Sequence, residues 1–298
     1  DRRKQEAQWV AEPRHFDGGG FVQLIDVEAP KAYPQTSLYR RTTAMIRADG
    51  TNSYAVDLFR VKGGTEHHFS FHGAEGEVET EGLELVPQET GTYAGADVAY
   101  AQRTDDKDGP GYAGSGFHYL RNVARAVNPE NSFSADWNVK DTWNVYGRGA
   151  GAETDVHVRL TMLGRMNEVA LADGVPPQNK PGNPKTLRYL IAHRRGTDLD
   201  SLFASVIEPY KGSRFIASIE SVDIRSGDAL VTGNEATAIK VTLVDGRTDY
   251  IVHALDPDIV YTVGDKLQFR GFFGVYSERD GKRSSVYVHD GALLAPIG

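Results

Sequence analysis

Along most of the chain, apolar and polar positions alternate over short stretches instead of recurring every third or fourth residue. The runs "SYAVDLFRV", "HHFSFHG", "DVHVRLTML", "LRYLIAHRR", "RFIASIESV", "AIKVTLVDG", "DYIVHAL" and "SSVYVHDG" are each of strand length. They are rich in β-branched and aromatic residues and end in Gly, Pro, Asn or Asp, the signature of strands separated by turns. One segment, "TDLDSLFASVIEPY" (197–210), admits a short helix starting at Thr197 or Asp198 and closed by Pro209. Many short strands with so little helical periodicity predict an all-β protein built as an antiparallel β-sandwich.

Two stretches interrupt the pattern. Residues 101–116, "AQRTDDKDGPGYAGSG", are polar and glycine-rich, and residues 173–185, "DGVPPQNKPGNPK", hold four prolines. Loops of this length inside compact domains are commonly functional or disordered. Beyond "SIESVDIRSGD" the strands shorten and the turns tighten, as in "DGR" and "RDGKR". This change predicts a boundary near residue 222, giving a large β-sandwich over 1–222 and a small C-terminal β-domain over 223–298. No internal repeat is evident.

Composition narrows the function classes. With 298 residues, 40% hydrophobic and 25% charged, the chain can bury one large or two smaller cores. No apolar run approaches the ~18–20 residues a membrane helix needs, so no membrane span is expected. The formal net charge of −8 argues against nucleic-acid binding. It also means that an anionic ligand has to be held by local arginines. The absence of cysteine rules out disulfides and thiolate metal sites. No HExxH, GxSxG or phosphate-cradling loop occurs, which removes metalloprotease, α/β-hydrolase and nucleotide-enzyme readings.

The densest chemistry lies in "VDLFRVKGGTEHHFSFHG" (56–73). Gly63-Gly64 suits the positive φ of a two-residue hairpin turn. Such a hairpin pairs Phe59 with His68, Asp57 with Ser70 and Ala55 with His72, placing Asp57 diagonal to both His68 and His72. A carboxylate beside imidazoles fixes a tautomer, raises a histidine pKa or shares a metal. The same pattern equally describes the outer face of a sheet with hydrogen-bonded polar residues, and both readings stay open here.

Four blocks in this order resemble the C-terminal sandwich of heparinase II/III-like polysaccharide lyases: "YRRTTAMI" (39–46), "YAVDLFRVKGGTEHHFSFHG" (54–73), "LRYLIAHRRG" (187–196) and "SLFASVIEPY" (201–210). The resemblance covers residues 1–222 and implies the sandwich type found in such lyases, stacked behind an N-terminal (α/α) toroid. It implies cleavage of uronic-acid polysaccharides, glycosaminoglycan or alginate-like, by β-elimination. That reaction needs the uronate carboxylate neutralised, a base for the proton at carbon 5 and an acid for the leaving oxygen. In the family, a tyrosine with a histidine or asparagine of the toroid does most of this; the sandwich adds a histidine and, in several members, zinc.

The family motifs G-H-x-H-x-D and A-H-N-T-V-x-V-D are absent from this chain, which opens on "DRRKQ". That opening is similar to the residues just past the second motif in family members. The resemblance thus implies a lyase fragment, inactive alone, with the main catalytic residues and most ligands for zinc or another divalent metal upstream of Asp1. It implies an anionic polysaccharide substrate, the toroid of the same protein as partner, and a secreted or periplasmic bacterial setting. Candidate cleft-lining residues are His72, His68 and Asp57. Candidate substrate-binding residues are Tyr39, Arg40 and Arg41, with His193, Arg194 and Arg195 at a strand end, since arginine grips carboxylate or sulfate bidentately. Trp137 and Trp143 suit either core packing or sugar stacking. Tyr112, Phe117, His118 and Tyr119 suit a lid beside the 101–116 loop. Two other readings compete: a non-catalytic carbohydrate-binding module, and a structural sandwich that stacks on another domain.

Overall fold

The structure, a computed structural model, describes residues 11–102 and 116–297. Among the described residues it is all-β, with antiparallel sheets in a sandwich-like arrangement and no α-helix. In chain order the first strands are β1 (Glu12–Asp17), β2 (Val22–Glu28), β3 (Leu38–Arg47), β4 (Ser53–Lys62), β5 (Glu66–His72), β6 (Gly76–Glu81) and β7 (Val86–Pro87). A 3₁₀ turn at Phe117–Tyr119 leads into β8 (Leu120–Val127), followed by β9 (Phe133–Asp141), β10 (Ala152–Leu163), β11 (Glu168–Gly174), β12 (Leu187–Arg195) and β13 (Asp200–Lys211). The last set is β14 (Ile216–Val222), β15 (Ile224–Ser226), β16 (Ala229–Leu230), β17 (Ala236–Leu243), β18 (Arg247–Ala254), β19 (Tyr261–Val263), β20 (Leu267–Arg279) and β21 (Lys282–Pro296).

The chain forms two compact units, each drawn from separate stretches of sequence. One gathers Glu28–Arg40 and Val61–Leu199; the other gathers Pro13–Val27, Arg41–Arg60 and Asp200–Gly298. The expected boundary falls between β14 and β15, which both belong to one sheet. That sheet begins before residue 222 because β14 pairs along its length with β17.

In the first unit, strands run in the orders β10-β9-β6 and β5-β12-β11-β8-β7. Trp137 of β9 joins the two layers. It is fully buried, its ring meets Phe71 of β5 edge-on at 5.4 Å, and its Nε1–H donates to the Arg188 carbonyl of β12 at 2.9 Å. Of the two roles open to Trp137, core packing is the one observed. A satellite core of Val123, Ala170, Ala172 and Ile191 lies on one face of the second sheet, and Tyr93 and Phe117 from the intervening loops cover it.

In the second unit, β1-β2-β3-β4-β13 form one layer and β14-β17-β18-β20-β19-β15-β16, with β21 on β20, form another. Strand β3 alternates as the sequence pattern requires, with Thr42, Ala44 and Ile46 buried and Arg41, Met45 and Arg47 exposed. A buried polar cluster also links the layers. The Tyr54 hydroxyl donates to Asp249 Oδ2 at 2.7 Å, and Arg247 grips both oxygens of that carboxylate at 2.8 Å.

Two sequence expectations need correction. Residues 56–72 do not form a hairpin within one sheet, because β4 and β5 belong to different sheets and β5 pairs with β12. Gly63 and Gly64 do take positive φ, 96° and 86°, but they turn a corner from one sheet to the other. The corner is held by hydrogen bonds to the Gly196–Leu199 turn, Gly63 N–H to Leu199 carbonyl at 2.7 Å and Leu199 N–H to Gly64 carbonyl at 3.1 Å. The second correction concerns the helix expected from Thr197 or Asp198, where the chain instead forms β13. Phe203, Ala204, Ser205 and Val206 are all buried, so both faces of that strand are covered and its apolar run is continuous.

Candidate functional site

The register of β5 on β12 sets His68 directly opposite His193 and Glu66 directly opposite Arg195. Side chains alternate along a strand, so Glu66, His68, Ser70 and His72 share one face with Tyr189, Ile191, His193 and Arg195. On the next strand Glu168 stands opposite His193, continuing the same row. The row is the end of the face that carries the satellite core.

Both imidazoles are withdrawn from water. His193 is buried, and its ring stacks on His68 with centroids 4.1 Å apart and planes 9° apart. His68 Nδ1 lies 3.0 Å from the Tyr93 hydroxyl, and the ring also meets Phe117 at 4.8 Å. Burial, then the neighbouring His193, pushes His68 down to about 3, and burial lowers His193 as well. Two stacked imidazoles cannot both hold a proton in such a setting, so the pair is neutral at neutral pH. Burial, then Glu168, raises Tyr93 and keeps its phenol protonated.

Arg125 of β8 organises the loop over this row. Its guanidinium donates to Glu168 Oε1 at 2.5 Å, to the Tyr93 carbonyl at 2.8 Å and to Gln88 Oε1 at 2.9 Å. It also lies 4.8 Å from the Tyr93 ring centroid. One cation thereby ties the sheet to the loop that carries Tyr93.

Glu66, His68 and His193 form a group whose ligand atoms all lie within 4.8 Å of one another. A carboxylate and two neutral imidazoles are donors that bind divalent metals, or accept protons from a bound substrate.

The other expected site residues are placed differently. Asp57 is not paired across a hairpin with the histidines. Its buried carboxylate accepts Nε–H and Nη2–H of Arg41 at 2.7 and 2.8 Å and the Thr43 hydroxyl at 3.0 Å. Arg41 thus meets Asp57 through both of these donors, with its side chain 49% exposed. Tyr39 packs on Tyr33 at 5.4 Å, and Arg40, on the opposite face of β3, is half-buried. His72 is exposed, its Nδ1–H donates to the Gly73 carbonyl at 2.8 Å, and its ring lies 4.7 Å from Tyr189. Arg194 points to the other face of β12, where burial lowers its pKa and Nε lies 3.4 Å from Met166 Sδ. Arg195 is exposed, with Nε 3.9 Å from Glu66. Trp143 is 58% exposed. Tyr112 and most of the 101–116 loop lie outside the described residues, whereas Phe117 does cover His68 and Tyr93. Sequence reasoning missed Glu66, Tyr93, Arg125 and Glu168. Only Glu66 carried a local signal, standing two residues before His68 on a strand.

No helix among the described residues is long and apolar enough to cross a membrane. No family model and no curated protein matches the chain. Among solved structures, similar chains include the heparan sulfate lyase HepC of Pedobacter heparinus in two crystal structures. A mutant form is 11% identical with a TM-score of 0.36, covering 82% of this chain and 28% of that one. The other is 11% identical with a TM-score of 0.33, covering 78% of this chain and 26% of that one. The chain spans little more than a quarter of the length of those structures.

Proposed function

We propose that this chain is the β-sandwich portion of a polysaccharide lyase that cleaves uronic-acid polysaccharides by β-elimination in the intact protein. What supports the reading is that the blocks resembling heparinase II/III-like lyases fall on neighbouring strands. Three of those strands, β3, β4 and β13, lie side by side, and the other two, β5 and β12, are paired throughout. The second pair carries the row in which Glu66, His68 and His193 meet. In this reading the chain supplies one wall of a cleft, and a toroid earlier in the same polypeptide supplies the tyrosine and its partner that move protons. Arg195, exposed at the end of β12 beside Glu66, is the cation of the row best placed to meet a uronate carboxylate. Secretion to the periplasm or outside a bacterium is part of the same proposal, since polymeric uronans are met there.

The test is ultraviolet detection of the unsaturated uronate product from a panel of uronans, with the intact polypeptide and with this chain alone. Product from the intact protein only is the expected result. A second reading, a non-catalytic carbohydrate-binding module, is favoured by one observation. Trp143, Val145 and Tyr146 are exposed together on a loop whose backbone N–H groups at Val145 and Tyr146 are held by Asp141 at 2.6 and 2.8 Å. Exposed aromatic side chains on a fixed loop suit stacking on sugar rings. Glycan binding without any cleavage by the intact protein supports that reading instead.

A further inference from the structure

The geometry points to a divalent-metal site formed by Glu66, His68 and His193, suited to zinc. This inference does not depend on the lyase reading, and the three residues lie outside the family motifs that carry its zinc ligands. The scaffold is two strands paired in register, which fixes the three Cα positions more firmly than a loop can. The ligand atoms already lie within 4.8 Å of one another. Around a zinc ion with bonds of about 2.1 Å, donor atoms stand roughly 3.4 Å apart. Closing onto the ion therefore takes a contraction of at most about 1.4 Å, shared among side-chain rotations at three positions. Parallel rings do not converge their lone pairs on one point, so one imidazole has to turn out of the stack as the metal enters.

A second observation points independently to a ligand. His193 Nε2 is buried and has no hydrogen-bond partner among the described residues, in a residue only 4% exposed. Such an orphan is rare in a folded protein, and a metal ion is one of the few groups that satisfy it. The partners around the site are those a metal-bound histidine uses. In the tautomer that protonates Nδ1 of His68, that N–H donates to the Tyr93 hydroxyl 3.0 Å away and Nε2 of the ring is left as the ligand atom. Glu168, opposite His193, is held by Arg125 and completes the outer layer. Two imidazoles, one carboxylate and no sulfur make a three-ligand set that leaves a fourth position open for water or substrate.

The experiment is titration of the full chain, stripped with chelator, with Co²⁺ and then Zn²⁺, followed by visible absorption and calorimetry. The expected result is one equivalent of Co²⁺ giving the ligand-field bands of a low-coordinate site, displaced by one equivalent of Zn²⁺. His68→Gln and His193→Gln are each expected to weaken binding by at least ~100-fold, and Glu66→Gln by about 10-fold. His67→Gln and His72→Gln leave it unchanged, since those rings are turned to the Gly63 and Gly73 carbonyls. Circular dichroism confirms that each variant is folded. If His193→Gln does not fold, Glu66→Gln and His68→Gln decide the matter from the half-buried side of the site. Absence of a stoichiometric Co²⁺ spectrum overturns the proposal, as does binding of undiminished strength in folded Glu66→Gln and His68→Gln.

Discussion

Replacing Arg125 with Met removes one guanidinium and keeps most of the side chain's length and apolar volume. Three acceptors lose their donor together: the Glu168 carboxylate, the Tyr93 carbonyl and the Gln88 side-chain oxygen. Hydrogen bonds to charged groups contribute about 1.5–3 kcal/mol each, and breaking one partner of a buried ion pair costs about 3–5 kcal/mol. The two figures count the same contacts, so they do not add. Side-chain exposures of 20% and 16% for Arg125 and Glu168 put the pair nearer the buried than the surface case. The expected loss is about 3 kcal/mol in the unit that contains Val61–Leu199. The change is also local, because Arg125 joins β8 and β11 to the loop carrying Gln88 and Tyr93. Hydrogen exchange is therefore the sharper assay. The amide of Tyr93, bonded to the Leu120 carbonyl, and the amides of Thr92 and Gly95 are expected to lose protection before the paired strands β11 and β12 do. Urea unfolding measured in parallel gives the global figure. If Arg125→Met stays within about 0.5 kcal/mol of the parent and exchange at residues 88–98 is unaltered, Arg125 does not hold the loop over His68 and His193.

Two further outcomes rest on buried contacts. Tyr54→Phe removes the hydroxyl that donates to Asp249 and is expected to cost about 1.5–3 kcal/mol in denaturant unfolding. Asp249→Leu leaves Arg247 uncompensated and is expected to cost more, about 3–5 kcal/mol; the reverse order contradicts an Arg247–Asp249 pair at the centre of the cluster. Gly63→Ala would place a Cβ 2.4 Å from the Gln35 carbonyl at a φ of 96°, so it is expected to destabilise by about 1–3 kcal/mol. A neutral result in thermal melts means the corner between β4 and β5 yields to the added methyl.

The all-β class was legible because alternation and turn residues are local properties. Each of the eight runs quoted from the sequence overlaps a strand along most of its length. The partner of each strand was not legible in the same way. Gly63-Gly64 reads identically whether the chain doubles back within a sheet or crosses to another. What decides between them is the Gly196–Leu199 turn, more than a hundred residues away, which bonds to the glycine corner. That crossing removed Asp57 from the histidines and gave it to Arg41. The 197–210 segment misled for a related reason: a strand buried on both faces loses its alternation, and a continuous apolar run does not announce its period. The site was half legible. His68 and His193 stood out as residue types in turn-flanked strands, but their stacking depends on the register of β5 against β12. Tyr93, Arg125 and Glu168 enter only through tertiary packing, from segments whose composition is ordinary for strands and loops.

If the chain is one wall of a uronan lyase, as proposed above, unsaturated uronate forms on cleavage and is followed in the ultraviolet. The intact polypeptide, this chain alone and an Arg195→Ala variant of the intact polypeptide are each given the same panel of uronans. Product is expected from the intact protein, none from the chain alone, and a raised KM in the variant as uronate binding weakens. Product released by the chain alone, or no product from the intact protein on any uronan while it still binds one of them, contradicts the proposal.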